Sequence, residues 1–569
     1  MIRNFPHKLA LLLLAVILAS ACRQNEVEIF SGRGIVCSNG MVVSAHPEAS
    51  YIGTMILAGG GNAFDAAAAT AFALAVSYPS AGNIGGGSLM VLRDKEGRYA
   101  ALDCREKAPG LAVRDMYLDS YGDIIEGMST GSRAASGVPG SVAGILEMHS
   151  GYGVLTSAEI IQPAIDLARN GFPLTARQAE SLNSARERFI SRNDHPVPFV
   201  KDSLWAEGDS LVQTDLARTL ERIRDDGLEG FYGGLTAELI DAEMKKDNGL
   251  ISLTDLAGYN AIWRDAITGS FADMKIISMP PPSSGGIALL QLMGIMENML
   301  PGETEFHSPE EVHLITEAER RVYADRAHYL GDPDFVDIPV KELVSKDYLT
   351  ERMSDFKPLM ATPSEKVSHG YPDYAESEET THFSVVDKDR NAVSFTTTLN
   401  SSYGNCIVVE GAGFILNNEM DDFSSKPGYP NIYGLIGGEA NAVQPGKRML
   451  SSMTPSIVEK ENKLYMVLGS PGGSTIITSV FQVLRNVAVH NMNMQQAVDA
   501  ARFHHQWMPD YLYFERDKAD KELIEKMEQM GHAVRLRAPI GRVDAIRILD
   551  NGRMEAGADR RGDDVAYAY

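Results

Sequence analysis

The sequence predicts a mixed α and β fold of the α+β class, with helices concentrated before about residue 330 and strands after it, on three observations. The first is a pair of β-rich runs with period-2 alternation, Thr380-Thr381-His382-Phe383-Ser384-Val385-Val386 and Ala392-Val393-Ser394-Phe395-Thr396-Thr397-Thr398-Leu399. They flank the polar turn Asp387-Lys388-Asp389-Arg390-Asn391 and read as a hairpin. The second is the capping-box pattern at Thr156-Ser157-Ala158-Glu159, Thr175-Ala176-Arg177-Gln178 and Ser308-Pro309-Glu310-Glu311, the last with Pro at the first helical position. The third is Gly59-Gly60-Gly61-Asn62 leading into an Ala-rich helix over residues 63–77, whose small side chains allow close packing on a sheet.

In chain order, residues 1–21 carry Arg3 and Lys8, an apolar run over 9–18, then Ala19-Ser20-Ala21 before Cys22. That is a secretory leader, too short in its apolar part to span a membrane as a helix. Small residues before a Cys also resemble a bacterial lipoprotein cleavage box, so cleavage before Cys22 and lipidation of its thiol are expected, which would place the protein in the cell envelope, periplasmic or surface-exposed. A plain signal peptide with an incidental Cys fits the same residues.

Cys37, Cys104 and Cys406 remain, an odd number without paired spacing, which implies neither a disulfide framework nor a zinc site. The formal charge of −24 becomes −26 once the leader is removed, and such an acidic chain is a poor partner for nucleic acid. Gly82-Asn83-Ile84-Gly85-Gly86-Gly87 runs into a strand at Ser88-Leu89-Met90-Val91-Leu92. No Lys-Ser/Thr follows and no helix opens there, so a phosphate loop is rejected. Residues 136–330 read as mostly helical scaffold, with Pro280-Pro281-Pro282-Ser283-Ser284-Gly285-Gly286 a rigid turn before a helix from Ile287. Residues 357–379 are rich in Pro, Ser and charge, with too few apolar residues to bury a face, and read as a flexible linker.

That linker runs straight into the hairpin. If Val386 pairs with Ala392, Thr380 falls opposite Thr398, with Cβ atoms roughly 5 Å apart. Cleavage of the Glu379-Thr380 bond would turn Thr380 into an N-terminal residue with a hydroxyl nucleophile and an α-amine of pKa about 7.7–8.0, able to serve as its own base. Taken alone, Thr380-Thr381 also fit two ordinary strand threonines. Cleavage would divide one fold into segments 22–379 and 380–569.

Four motifs in order, Thr380-Thr381-His382-Phe383-Ser384-Val385, Leu416-Asn417-Asn418-Glu419-Met420-Asp421-Asp422-Phe423, Ser451-Ser452-Met453-Thr454-Pro455 and Gly469-Ser470-Pro471-Gly472-Gly473-Ser474, resemble the γ-glutamyltransferase family of N-terminal-nucleophile hydrolases. The resemblance implies a four-layer αββα sandwich, self-cleavage between Glu379 and Thr380, and no cofactor or metal. It implies transfer of the γ-glutamyl group of glutathione or related amides to water, an amino acid or a dipeptide. Thr380 would be the nucleophile and Thr398 its hydroxyl partner. Arg105, with Ser451 and Ser452, would bind the donor's α-carboxylate; Asn400, Glu419 and Asp422 would hold its α-ammonium; Gly472 and Gly473 would form the oxyanion hole.

Read without the resemblance, several of these residues stay open. Arg105 fits half of a surface ion pair, Glu419 and Asp422 fit a calcium site lacking the regular spacing of a calcium loop, and Ser451-Ser452 fits a loop. In Arg502-Phe503-His504-His505-Gln506-Trp507, adjacent strand histidines would point to opposite faces, which favours a structural role over a metal. Residues 427–438 are rich in Gly, Pro and aromatics and fit a lid or a surface Ω-loop; the resemblance, whose family includes lidded members, implies the lid, with Tyr433 over the acyl-enzyme. Two other functions stand beside transfer: a glutaryl-cephalosporin-type acylase, against which the paired acids argue, and a non-catalytic amino-acid-binding lipoprotein, which would stay uncut.

Overall fold

In the computed structural model, which describes residues 28–300, 304–368 and 380–569, Thr381–Val386 and Ala392–Thr398 are adjacent antiparallel strands. Val386 pairs with Ala392 and Thr381 with Thr397, and one further step sets Thr380 against Thr398, as the alternation predicts. Cross-strand Phe383 and Phe395 stack with ring centroids 4.6 Å apart, a kind of pair that adds about 0.5–1.5 kcal/mol.

Both faces of the hairpin are buried. Phe383, Val385, Val393 and Phe395 join the apolar core under the helices, while Val386 and Ala392 join the core between the sheets. The polar half of the alternation faces a second sheet rather than water. Ser384 Oγ donates to the Asp544 carbonyl (3.1 Å) and Ser394 Oγ to the Leu468 carbonyl (2.9 Å). Because the Ser384 proton goes to Asp544, Ser384 Oγ accepts from His382 Nε2, and His382 Nδ1 accepts from Thr396 Oγ1 (2.9 Å). Burial lowers the His382 pKa to about 3, so the ring is neutral. The buried polar row, satisfied throughout by these bonds, locks the two sheets together.

The hairpin lies inside an eight-stranded antiparallel sheet whose order places Ala392–Thr398 next to Gly87–Arg93 and Thr381–Val386 next to Met41–Ser44. A seven-stranded antiparallel sheet containing Ser456–Lys460, Lys463–Gly469 and Asp544–Ile548 packs against it. Helices Pro47–Ala58, Ala63–Ser77 and Ser141–Tyr152 cover the first sheet, and Gly285–Met299, Thr475–Ala488 and Met494–Asp499 cover the second. The layers therefore run αββα. Every side chain of Ala63–Ser77 is buried, as its alanines permit. Asn62, Thr156 and Thr175 close full capping boxes, each N-cap side chain contributing about 1 kcal/mol. Ser308 caps its helix, but the Glu311 carboxylate turns to Arg485, His490 and the His307 N–H, so the reciprocal half of that box is missing.

Two expectations are corrected. Strands are not confined to the region after residue 330: Met41–Ser44, Gly87–Arg93, Tyr99–Cys104, Ile267–Phe271 and Met274–Ser278 supply central and edge strands to both sheets, and helices follow at Thr475–Ala488 and Lys521–Gln529. Nor are residues 357–368 a tether. Ser364 is fully buried and accepts from Arg320, the Thr362 N–H donates to Glu317, and the Lys357 carbonyl accepts from His313 Nε2. The polarity that made this stretch look solvated serves buried charges on helix Pro309–Tyr329. The leader, Cys22 and Glu379 lie outside the described residues. Cys37, Cys104 and Cys406 are buried and unpaired, and no described helix is long and apolar enough to cross a membrane.

Candidate active site

Thr380 heads its strand, 4 % exposed, and faces a cavity. Thr398, Asn400, Glu419, Asp422, Tyr433, Ser451, Ser452 and Gly473 line the same cavity, drawn from five separate stretches of sequence. Arg105 reaches it through the acids, and Gly472 sits one residue behind Gly473. The cavity volume is about 20 Å³, room for one water.

The glycine run at 82–87 sets the position of the second hairpin strand. A Cβ on Gly86 would lie 2.1 Å from the Thr398 carbonyl oxygen, and Asn83 Nδ2 donates to that same oxygen (2.8 Å). The run thus brings backbone against backbone beside the site and has no phosphate role. The Thr398 hydroxyl accepts from the Asn400 N–H (2.8 Å), which leaves its own proton for another acceptor. Asn400 itself is left-handed at φ 73°, a conformation Asn tolerates, and its Nδ2 donates to the Asn418 carbonyl (3.0 Å). Asn400 Oδ1 has no hydrogen-bond partner among the described residues.

Arg105 follows strand Tyr99–Cys104 and is fully buried. One terminal nitrogen donates to Glu419 Oε1 and the other to Asp422 Oδ2, while Nε and a terminal nitrogen also reach the Met449 and Leu450 carbonyls at 3.2 and 3.3 Å. It is therefore no surface ion pair. Burial works against the charged guanidinium, but Glu419, Glu106 and Asp422 together raise its pKa. Burial likewise pushes the Glu419 and Asp422 carboxyls up, with Arg105 pulling them back down. Glu419 Oε2 has no partner among the described residues. Two unsatisfied acceptors, Asn400 Oδ1 and Glu419 Oε2, thus sit at one cavity with Asp422, an acceptor set suited to an ammonium group.

Gly472 and Gly473 have φ of 132° and 52°, both in the region that favours glycine. A Cβ on Gly473 would stand 2.5 Å from the Tyr433 ring, and one on Gly472 2.4 Å from Thr475 Oγ1. Tyr433 closes the cavity from residues 427–438. It is 4 % exposed, its hydroxyl donates to the Asn400 carbonyl, and Leu435 and Ile436 are buried with it. Within residues 427–438, residues 433–436 pack over the cavity, while Tyr429 is exposed on the surface.

Sequence reasoning missed the residues that hold this machinery. Asn431 donates to Asp422 Oδ1 (2.9 Å), Gln506 Nε2 donates to the Tyr433 carbonyl (3.1 Å), and Arg326 donates to Ser452 Oγ (3.2 Å). Gln506 also accepts from His504 Nε2 (2.9 Å), whose Nδ1 bonds Thr478, while His505 Nε2 meets Asp510. The two histidines serve different neighbours, but only His504 is in a strand, Phe503–His504, and His505 follows its end. Only Asn431 carried a signal, its place in the Gly- and Pro-rich cover.

A strand-heading threonine inside a four-layer αββα sandwich, facing paired acids and a glycine turn, defines an N-terminal-nucleophile hydrolase. A model of the gamma-glutamyltranspeptidase family matches residues 49–569, and the chain belongs to that family. It is 43% identical over 537 residues to a glutathione hydrolase proenzyme of Escherichia coli, covering 93% of this chain and 92% of that protein. With the Pseudomonas aeruginosa glutathione hydrolase proenzyme it shares 44% identity, covering 92% and 93%. Among solved structures, cephalosporin acylase from Bacillus halodurans superposes with TM-score 0.82 at 25% identity over 96% of this chain and 98% of that one. Helicobacter pylori gamma-glutamyltranspeptidase superposes with TM-score 0.57 at 44% identity over 61% and 97%.

Proposed function

We propose that this protein is a glutathione hydrolase and γ-glutamyltransferase that matures by cutting its own Glu379-Thr380 bond. The observation that carries the reading is the cavity in which Thr380 meets a guanidinium, two carboxylates and an unsatisfied amide oxygen. A γ-glutamyl group is a zwitterion at its Cα. Its ammonium replaces the Arg105 guanidinium at Glu419 and Asp422 and adds Asn400 Oδ1, while its carboxylate takes the freed Arg105 fork with Ser451 and Ser452. A glutaryl group lacks the ammonium and would leave two buried acids without a partner, which disfavours the acylase reading.

In maturation, Thr380 Oγ attacks the Glu379 carbonyl carbon, the peptide C–N bond breaks as the Oγ proton passes to the departing nitrogen, which frees the Thr380 amine, and water then hydrolyses the resulting ester to release the Thr380 hydroxyl and the Glu379 carboxylate. In turnover, Oγ attacks the donor's γ-carbonyl carbon and its proton passes to that amine. The developing oxyanion lies at the Gly472-Gly473 N–H groups, a device worth about 3 kcal/mol per donor. The amine then hands its proton to the departing amine as the C–N bond breaks, leaving a γ-glutamyl ester on Thr380. Water, or the amine of an amino acid or dipeptide, attacks the ester, and Oγ recovers its proton. Thr398, opposite Thr380, orients the nucleophile. Each step is proton transfer and acyl exchange by the chain's own groups.

The leader and Cys22 support export with a lipid anchor in the cell envelope. Thr380→Ala tests the central claim: the purified variant should run as one uncut chain without activity on a γ-glutamyl anilide, while the parent gives two bands, the smaller beginning at Thr380. Normal two-band maturation of the variant would sink self-cleavage.

A further inference from the structure

Arg326 lies in the last turn of helix Pro309–Tyr329, only 6 % exposed. Among the described residues no carboxylate comes within ion-pair distance of it; its partners are two hydroxyls. Nε donates to Ser284 Oγ at 3.0 Å and a terminal nitrogen to Ser452 Oγ at 3.2 Å. A buried cation without a paired acid is costly, and groups of that kind gather where a site uses their charge. Burial works against its charged form, Tyr323 and then Asp422 favour it, and Arg105 opposes it; the last two belong to the substrate cavity.

A guanidinium has donors only, so both hydroxyls must accept from it. Ser284 spends its single proton on the Ser451 carbonyl (2.8 Å), which also accepts the Ser284 N–H (2.8 Å), and this pins the Ser451-Ser452 turn. Ser451 Oγ accepts from the Met453 N–H (3.1 Å). With Arg326 behind Ser452 and Met453 N–H behind Ser451, each hydroxyl has its acceptor side filled and its proton left for the cavity. We infer that Arg326 is a positioning residue for donor recognition: it turns the Ser452 O–H toward the α-carboxylate of the γ-glutamyl group and adds an unpaired positive charge behind the Arg105 fork. This rests on the functional reading above.

The test compares kcat/KM for γ-glutamyl and γ-aminobutyryl para-nitroanilides, two donors that differ by the α-carboxylate. In the parent the γ-glutamyl donor should be strongly preferred; no preference would sink the functional reading itself and leave nothing for Arg326 to position. In matured Arg326→Met, KM for the γ-glutamyl donor should rise about tenfold with kcat little changed, the loss expected for one charge-assisted contact, while the γ-aminobutyryl donor is unaffected. Arg326→Lys keeps the charge but reaches one hydroxyl, so its preference should fall by about threefold, and it decides the matter if the Met variant fails to mature. In a Ser452→Ala background, Arg326→Met should cost less than it does alone. Equal losses for both donors, or an unchanged preference in the Lys variant, would make Arg326 a framework residue and overturn the inference.

Discussion

Arg105 was legible in the sequence only through its resemblance to a family motif, because an Arg after a short apolar strand is ordinarily a surface residue. Its place between Glu419 and Asp422 depends on three distant stretches meeting. Lys offers a point charge where Arg offers a planar fork. Arg105→Lys should therefore fold and self-cleave yet raise KM for a γ-glutamyl donor by about tenfold or more, and an unchanged KM would remove Arg105 from the carboxylate subsite. Its neighbour Glu106 went unnoticed. Burial pushes the Glu106 carboxyl up to about 7, with Arg105 at 3.4 Å pulling it back, and Oε1 has no partner among the described residues. A carboxyl raised on folding stabilises the fold fully below its unfolded value near 4.5, and that contribution is lost as pH rises through about 7. Thermal melts between about pH 5 and 8 should show the parent losing stability relative to Glu106→Gln as pH rises; parallel curves would refute the assignment.

Among elements, the hairpin was the most legible. Its alternation set the register, and the register set Thr380 against Thr398. The alternation did not reveal that the polar face meets a second sheet, since a half-solvated strand has the same period. Residues 357–368 were misread for a related reason: polarity implies solvent until a buried partner is known, and Arg320 and Glu317 are such partners. For residues 427–438, Gly and Pro signalled an ordered loop, but its role as a cover rests on Tyr433, Asn431 and Gln506 contacts that no local pattern encodes. The space beneath it holds about one water, less than a γ-glutamyl group fills. Deleting residues 428–435 should leave cleavage at Thr380 intact, admit bulkier donors such as polyglutamate, and shift partitioning with glycylglycine toward hydrolysis, because the ester loses its shield from water. A donor range and partitioning equal to the parent's would reduce the segment to packing.

At the scale of the whole molecule, the proposed cut does not divide a domain. In the eight-stranded sheet, Met41–Ser44 and Gly87–Arg93 from before the cut enclose Thr381–Val386 and Ala392–Thr398 from after it, and Val565–Ala568 pairs with Phe30–Gly32 and Met41–Ser44. Each piece alone would expose unpaired strand edges and the apolar core between the sheets. The two pieces of the matured enzyme should therefore co-elute on size exclusion in buffer and separate only in denaturant. Segment 22–379 expressed alone should fail to give soluble protein, and a soluble, folded segment would contradict the interleaved architecture.

By itself the sequence determined the periodic elements, the capped helices, the hairpin register and the motif set that marks the family, because each is written in residues close together along the chain. Only the tertiary structure decided which strands neighbour one another, why the hairpin's polar face is buried, and that Arg326, Gln506 and Glu106 stand behind the site. Those depend on contacts between residues tens to hundreds of positions apart, where the chemistry of one side chain becomes readable only beside its partner.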